Sequence, residues 1–254
     1  MTAPSVTYRL GTNANLRSGE VDQNFDDLIQ YITNRNSGAA AWDDLVIAGP
    51  KPWIDVRSTG ALGDGSTDDI TAITDAIAVA PSTGAIVFFP AGTYIISTPI
   101  FVKSNVTLLG VGMGVTTIKL KDSVMPGAGA DGGRVITNTN WSVVGSTDQN
   151  IEIRNLTVDG NKANNPDVAL GSAAGISFGY ATNVRIINCE LKNIDGYAAI
   201  YFGDTISGAE TTNPGLHVEG CVIRDSVAST AGGSYGQAMF ITAPQTVSCY
   251  ITNN

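Results

Sequence analysis

The sequence predicts an all-β fold, a solenoid of stacked coils, from three observations. An alternating apolar pattern recurs along the second half, two residues on one side, a two-residue break, then two more. It reads Val106, Leu108, Val111, Met113, and returns as Ile151, Ile153, Leu156, Val158, as Val184, Ile186, Cys189, Leu191 and as Leu216, Val218, Cys221, Ile223. Alternation marks strands with one buried face, and recurrence at intervals of 45, 33 and 32 residues marks coils that bury their core against one another. Composition agrees: 43% of residues are hydrophobic, only 15% are charged, and 29 of 254 are glycine, with no collagen-like period.

The elements follow in order. Val21, Phe25, Leu28 and Ile32 recur at 4, 3 and 4 residues, a helical seam with heptad spacing. Asp22, Asp26 and Asp27 suit its N-terminal turns and Arg35 its last, as the helix dipole favours, and Gly38 is a stop signal. Such a helix either packs on its own chain or joins identical chains, and the four apolar residues are the candidate attachment and oligomerisation contacts. Residues 37–52 read as a linker with one apolar patch, Trp42 to Ile47. A second helix is expected from Asp68 to Ala80, with Ser66 and Asp69 as a capping box, Ile70, Ile73 and Ile77 as its buried stripe and Pro81 as its end. Strands at Ala85 to Phe89 and Thr93 to Ile96 lead into the repeats. Because a solenoid end exposes core and strand edges, this helix is the expected terminal cap.

Within the repeats, Gly160, Asn193 and Asp225 stand four residues after the third apolar position, where coil corners are expected; Val115 breaks the rule. Cys189 and Cys221 share one slot, and Cys249 fits the same slot in a shortened fifth copy from Gln245 to Asn253. All three thiols are read as reduced core filler, since their spacing matches no metal site.

The formal charge of −9 and pI near 4.4 argue against nucleic acid and anionic membrane as partners. No apolar run approaches a membrane span, so no membrane insertion is expected. Met1 to Leu16 lacks a basic-then-apolar leader, so synthesis in a cytoplasm is expected. The sequence reaches Asn254 just after a coil with no closing helix, and the expectation is a longer protein.

The stretch Asp55-Val-Arg-Ser-Thr-Gly-Ala-Leu-Gly-Asp-Gly-Ser-Thr-Asp-Asp69, with Ala72-Ile73, Ala76-Ile77, Phe88-Phe-Pro-Ala-Gly-Thr-Tyr94 and Val106-Thr-Leu-Leu-Gly-Val-Gly112, resembles the opening of pectate-lyase-like right-handed parallel β-helix proteins. In phage tailspikes and tail fibres such a segment follows a small virion-attachment domain, and Gly19-Glu-Val-Asp-Gln-Asn-Phe25 is similar to a stretch near the start of some tail fibres. The resemblance implies an attachment segment over residues 1–50 and the capped start of the β-helix over 51–254. It also implies a homotrimer on the virion tail, made in the host cytoplasm. Its partners would be a phage tail or baseplate protein and a host surface polysaccharide. Depolymerase activity, by hydrolysis or β-elimination, would belong to the full-length protein rather than to these residues alone. A secreted bacterial pectate-lyase-like enzyme and a non-catalytic adhesive fibre are the alternatives.

Polysaccharide hydrolysis needs two carboxyls at a fixed separation, and elimination needs a base and charge-stabilising cations. No complete set is legible. Asp195, in an Asn-x-Asp stretch with Asn193, and Glu219 are the catalytic candidates, with a corner role the plainer reading of Asp195. Glu152, Arg185, His217 and Glu219 fall at outward positions of successive coils, so Glu152 is expected to face Arg185 and Arg185 to face His217. With Tyr197 and Tyr201, the first three form the candidate sugar-binding set. Asp64, Asp68 and Asp69 suggest a cation loop, but the helix-capping role explains them better. No metal site and no cofactor is expected.

Overall fold

The computed structural model describes residues 51–124, 134–143, 146, 148–165, 174–203, 215–228, 237–242 and 249–252. The expected seam of Val21, Phe25, Leu28 and Ile32 lies outside them. The chain enters through β1 (Trp53–Asp55), a 3-10 turn (Val56–Thr59), β2 (Asp64–Asp68) and one α-helix, α1 (Ile70–Ala78). A first coil follows, β3 (Ala85–Phe89), β4 (Gly92–Ile96) and β5 (Ile100–Val102). The second is β6 (Val106–Gly110), β7 (Thr116–Leu120) and β8 (Arg134–Asn138). The third is β9 (Asp148–Arg154), β10 (Thr157–Asp159) and β11 (Ala174–Phe178). The fourth is β12 (Ala181–Ile187), β13 (Glu190–Lys192), β14 (Asp195–Gly196) and β15 (Ala198–Gly203). The fifth is β16 (Leu216–Glu219), β17 (Val222–Arg224), β18 (Val227–Ala228) and β19 (Gln237–Thr242), and β20 (Cys249–Thr252) opens the next.

Like strands of successive coils pair, and every pairing between described strands is parallel. The first sheet runs β1-β3-β6-β9-β12-β16-β20, the second β2-β4-β7-β10-β13-β17 and the third β5-β8-β11-β15-β19, with β14 and β18 as a small extra pair. This is a parallel β-helix of three sheets. Its core is the stack the repeat predicts: Ile151 pairs with Val184 and Val184 with Leu216, while Leu108 pairs with Ile153, Ile153 with Ile186 and Ile186 with Val218. These side chains are fully buried, as are Leu156, Val158, Cys189 and Leu191. Helix α1 is shorter than expected and buries Ile73, Ala76 and Ile77. Among the described residues no helix is long and apolar enough to cross a membrane.

The first corner is fixed by carboxylates on backbone N–H groups. Asp69, which is buried, accepts from Leu62 N at 2.7 Å and Gly63 N at 3.1 Å, and Asp64 accepts from Ser66 N, Thr67 N and Thr67 Oγ1. Those bonds, Thr67 N first, hold the Asp64 carboxyl well below its usual range. The expected capping box is therefore not formed: Ser66 lies in β2, and Asp69 stands at the N-cap with its side chain turned back to the corner. Glycine is forced here by close approach. A Cβ on Gly92 would lie 2.6 Å from Gly63 O, and one on Gly63 would lie 2.8 Å from the Tyr94 ring.

Three further expectations fail locally. Val158 pairs with Ile118, not Met113, so Val111 to Val115 form an insertion between β6 and β7, with Val111, Met113 and Val115 exposed. Thr116 takes the buried slot that Val111 was expected to fill. Its hydroxyl satisfies itself on Phe89 O and Pro90 O and accepts from Val111 N. At the second-sheet corners the left-handed residues are Asn193 and Asp225 as expected, but Asn161 rather than Gly160 in the third coil. Finally, Cys249 pairs with Leu216, so it is out of the slot shared by Cys189 and Cys221. Those two form no disulfide and are buried, each thiol donating to main-chain carbonyls, and burial pushes the Cys189 thiol up.

Candidate glycan-binding face

A β-helix offers three outer faces, and the candidate residues divide among them. On the first sheet the register is the one expected: Arg185 lies opposite Glu152 on one side and His217 on the other. Glu152 binds Arg154 at 3.0 Å and Arg185 at 3.4 Å, and His217 Nε2 lies 3.1 Å from Glu219 Oε2. The strip is thus an ion-paired ladder whose charges already have partners.

The second sheet carries a network that sequence reading missed. Glu190 accepts from Arg224 Nε at 2.7 Å and from Thr157 Oγ1 at 3.0 Å, and Lys192 Nζ lies 3.9 Å from both Glu190 and Asp159. Asp159 also accepts from Asn161 N and Asn193 Nδ2, so it holds the corner after β10. Burial would raise the Glu190 carboxyl, but hydrogen bonds from Arg224 and Thr157, with the charges of Arg224 and Lys192, hold it below its usual value. The signal was available: these residues are the outward alternates of the strands whose inward ones define the repeat.

The third sheet differs in chemistry and setting. Chain passes from the first to the second sheet through two residues in each later coil (155–156, 188–189, 220–221). The connections into and out of the third sheet include residues 160–173 and 204–215. Its outward column contains Phe101, Thr137, Ser177 and Tyr201 in register. Tyr201 and Tyr197 stand with ring centroids 5.8 Å apart, edge to face, both half-buried. Beside them the buried Arg134 donates from Nε to Ser177 Oγ at 3.1 Å and lies 3.7 Å over the Trp141 ring. Thr137, Ser177, Arg134 and Trp141 are buried, so Phe101 and the two half-buried tyrosines are what this column presents to solvent, and aromatic faces of that kind suit stacking on sugar rings. Tyr197 and Tyr201 are thus brought together, but on a different face from Glu152, Arg185 and His217.

The two catalytic candidates are not paired. Asp195 is buried at the start of β14, and Glu219 ends β16 on the first sheet. Asp64, Asp68 and Asp69 do not converge either: each holds main-chain N–H groups, and Asp68 lies 3.6 Å from Lys121. Among the described residues no group of three His, Cys, Asp or Glu side chains could hold a metal ion.

The model of the rhamnogalacturonase A/epimerase, pectate-lyase-like family matches residues 53–254. The chain belongs to that family. The family resemblance of the Asp55–Asp69 stretch is thereby borne out, and several relatives share much of the chain's sequence. A mannuronan C5-epimerase, AlgE6 of Azotobacter vinelandii, is 34% identical over 188 residues, covering 70% of this chain and 19% of that protein. The preneck appendage protein of Bacillus phage PZA is 27% identical over 223 residues, covering 79% of this chain and 24% of the other. Among solved structures of pectate-lyase-like fold, the N-terminal fragment of bacteriophage phi29 gene product 12 superposes with a TM-score of 0.55. It is 27% identical, covering 78% of this chain and 31% of that one. The chain spans 19%, 20% and 30% of the length of the first three curated relatives.

Proposed function

We propose that this chain is the leading part of a phage tail appendage that recognises host surface polysaccharide. Residues 1–50 attach it to the tail or baseplate, and α1 caps a right-handed parallel β-helix. Three chains assemble on the virion, and the third-sheet face around Tyr197 and Tyr201 takes the glycan. The observation that carries this reading is the shared sequence and fold with phage appendage proteins, at 27% identity over more than three quarters of the chain. Catalysis, as a depolymerase, belongs to the full-length protein, since the two candidate carboxyls, Asp195 and Glu219, stand on different sheets rather than as a pair. The test uses the complete protein and purified surface polysaccharide of host cells. The expected result is saturable binding, with chain shortening by the full-length protein; absence of binding to any host glycan overturns the reading.

A second reading rests on the higher identity to mannuronan C5-epimerases and an alginate lyase, 31–34% over the first six of them. On it the protein acts on a uronate polymer. Incubation with mannuronan, followed by proton NMR for inverted C5 centres or unsaturated ends, selects between the two.

A further inference from the structure

Cys189 and Cys221 take no part in the proposed function, yet they face each other across two coils. β12 pairs with β16 as far as Ile187 and Glu219, and β13 pairs with β17 from Glu190 and Val222 onward. Between these strands Asn188 N donates to Glu219 O at 2.8 Å and Val222 N to Cys189 O at 2.9 Å. The register therefore carries through the turn and sets Cys189 opposite Cys221. Stacked strands lie about 4.8 Å apart, inside the roughly 4.4–6.8 Å that separates the Cα atoms of a disulfide. The side chains also lean the same way. Cys189 Sγ donates to Ile187 O at 3.3 Å and, one coil back, to Ile153 O at 3.6 Å. Cys221 Sγ donates to Glu219 O at 3.5 Å and, one coil back, to Ile186 O at 3.5 Å. The Cys221 sulfur thus reaches into the coil that carries Cys189, and the two thiols are within hydrogen-bonding reach of one another. The slot itself does not call for sulfur, since Leu156 fills it one coil earlier and is fully buried.

We propose that Cys189 and Cys221 are a modification site, closing to a disulfide that staples the fourth coil to the fifth when a small-molecule disulfide is present as oxidant. Cys221 is the point of entry. It keeps 4% exposure where Cys189 has none, and its hydrogen bond with Cys189 holds its thiol below the ordinary range while burial pushes Cys189 up. The Cys221 thiolate attacks one sulfur of the oxidant, which gives a mixed disulfide and one small thiol. Cys189 then gives up its proton and attacks the Cys221 sulfur, closing the protein disulfide and expelling the second small thiol. Two electrons pass from the protein to the oxidant, and the two thiol protons end, through solvent, on the two small thiols. The loop so closed contains β13 to β16, with Tyr197 and Tyr201 inside it. Joining its ends restricts the unfolded chain and holds this turn of the β-helix shut.

The test treats the folded full chain with oxidised glutathione at about pH 8, where thiolates are populated. A second sample is refolded from urea in the same oxidant, so that burial cannot bar the reagent. Both samples are alkylated and digested without reductant. Mass spectrometry is expected to find the Cys189 and Cys221 peptides joined, two hydrogens lighter than the separate pair, and a thiol reductant to part them. The linked chain is expected to melt about 5–10 °C above the reduced one, with no such shift in Cys189→Ser or Cys221→Ser. In Cys189→Ser the first step is trapped, and Cys221 is expected to hold glutathione as a mixed disulfide. Recovery of Cys189 and Cys221 as alkylated thiols from both samples overturns the proposal. Pairing of either with Cys249 or with another chain in its place does the same. A linked chain that melts no higher than the reduced one also overturns it, because the bond would then strain the coils rather than hold them.

Discussion

Glu190 shows how a single residue is committed by its neighbours. It lies partly buried between Thr157 and Arg224, and its carboxyl is useful to the fold only while ionised. Because its folded pKa is lowered, its contribution is complete above the ordinary value of 4.5 and is lost as pH falls through the lower folded value. Glu190→Gln keeps the shape and removes the charge. At neutral pH the variant is expected to lose about 1–2 kcal/mol, the worth of hydrogen bonds to a charged group. The gap from the wild type should narrow as pH falls below 4.5 and close once it has passed the lower folded value. Urea unfolding at several pH values measures it, and a gap that stays constant into acid would mean that the ion pairs contribute nothing. Thr116 makes the complementary point. A polar residue in an apolar slot is tolerated because two carbonyls and one N–H of the corner engage its hydroxyl.

At the scale of the element, the corners preceding the first-sheet strands are the repeating unit. Gly84, Asn105, Asn150, Asn183 and Gly215 occupy one position of successive coils, all with positive φ. Asn150 Nδ2 donates to Asn105 Oδ1 at 2.8 Å, and Asn183 Nδ2 to Asn150 Oδ1 at 2.6 Å, so the corner side chains form a ladder. Asn150→Ala should cost about 2–3 kcal/mol, combining left-handed strain of about 1–2 with the lost side-chain bonds. Asn150→Gly should cost less, since glycine adopts φ of 56° freely. Equal losses in urea unfolding would assign the whole effect to the ladder. This level also shows why parts of the fold were legible and others not. The first-sheet strands could be read because their turns are two residues long and the repeat survives. The second coil misled because Val111 and Met113 imitate the alternation while sitting on an insertion, and Cys249 misled because its copy is shortened. The third sheet left no period, as Ile136, Ile176 and Ile200 are separated by connections of unequal length. The buried third-sheet group of Arg134, Trp141 and Ser177 was missed for that reason, whereas Tyr197 and Tyr201 were found by residue type alone.

For the molecule as a whole, the faces compete for one role. A polysaccharide laid on a β-helix crosses coils about 4.8 Å apart and can follow one sheet at a time. The ladder of the first sheet has its arginines paired with Glu152 and His217 in contact with Glu219, so a neutral or acidic sugar must break those contacts to bind there. On the third sheet the tyrosine pair offers ring faces at no such cost, and Arg134 is already fixed by Trp141 and Ser177. Tyr201→Ala is therefore expected to weaken binding of host polysaccharide about tenfold, ~1.4 kcal/mol, with Tyr197→Ala acting in the same direction. Arg185→Ala and His217→Ala are expected to change it less than about twofold, near the worth of exposed ion pairs. Isothermal titration of the complete protein with the same glycan compares the four variants. If the first-sheet variants lose affinity and the tyrosine variants keep it, the polymer runs along the ladder of Glu152, Arg185 and His217, and the third sheet serves the fold or the assembly instead.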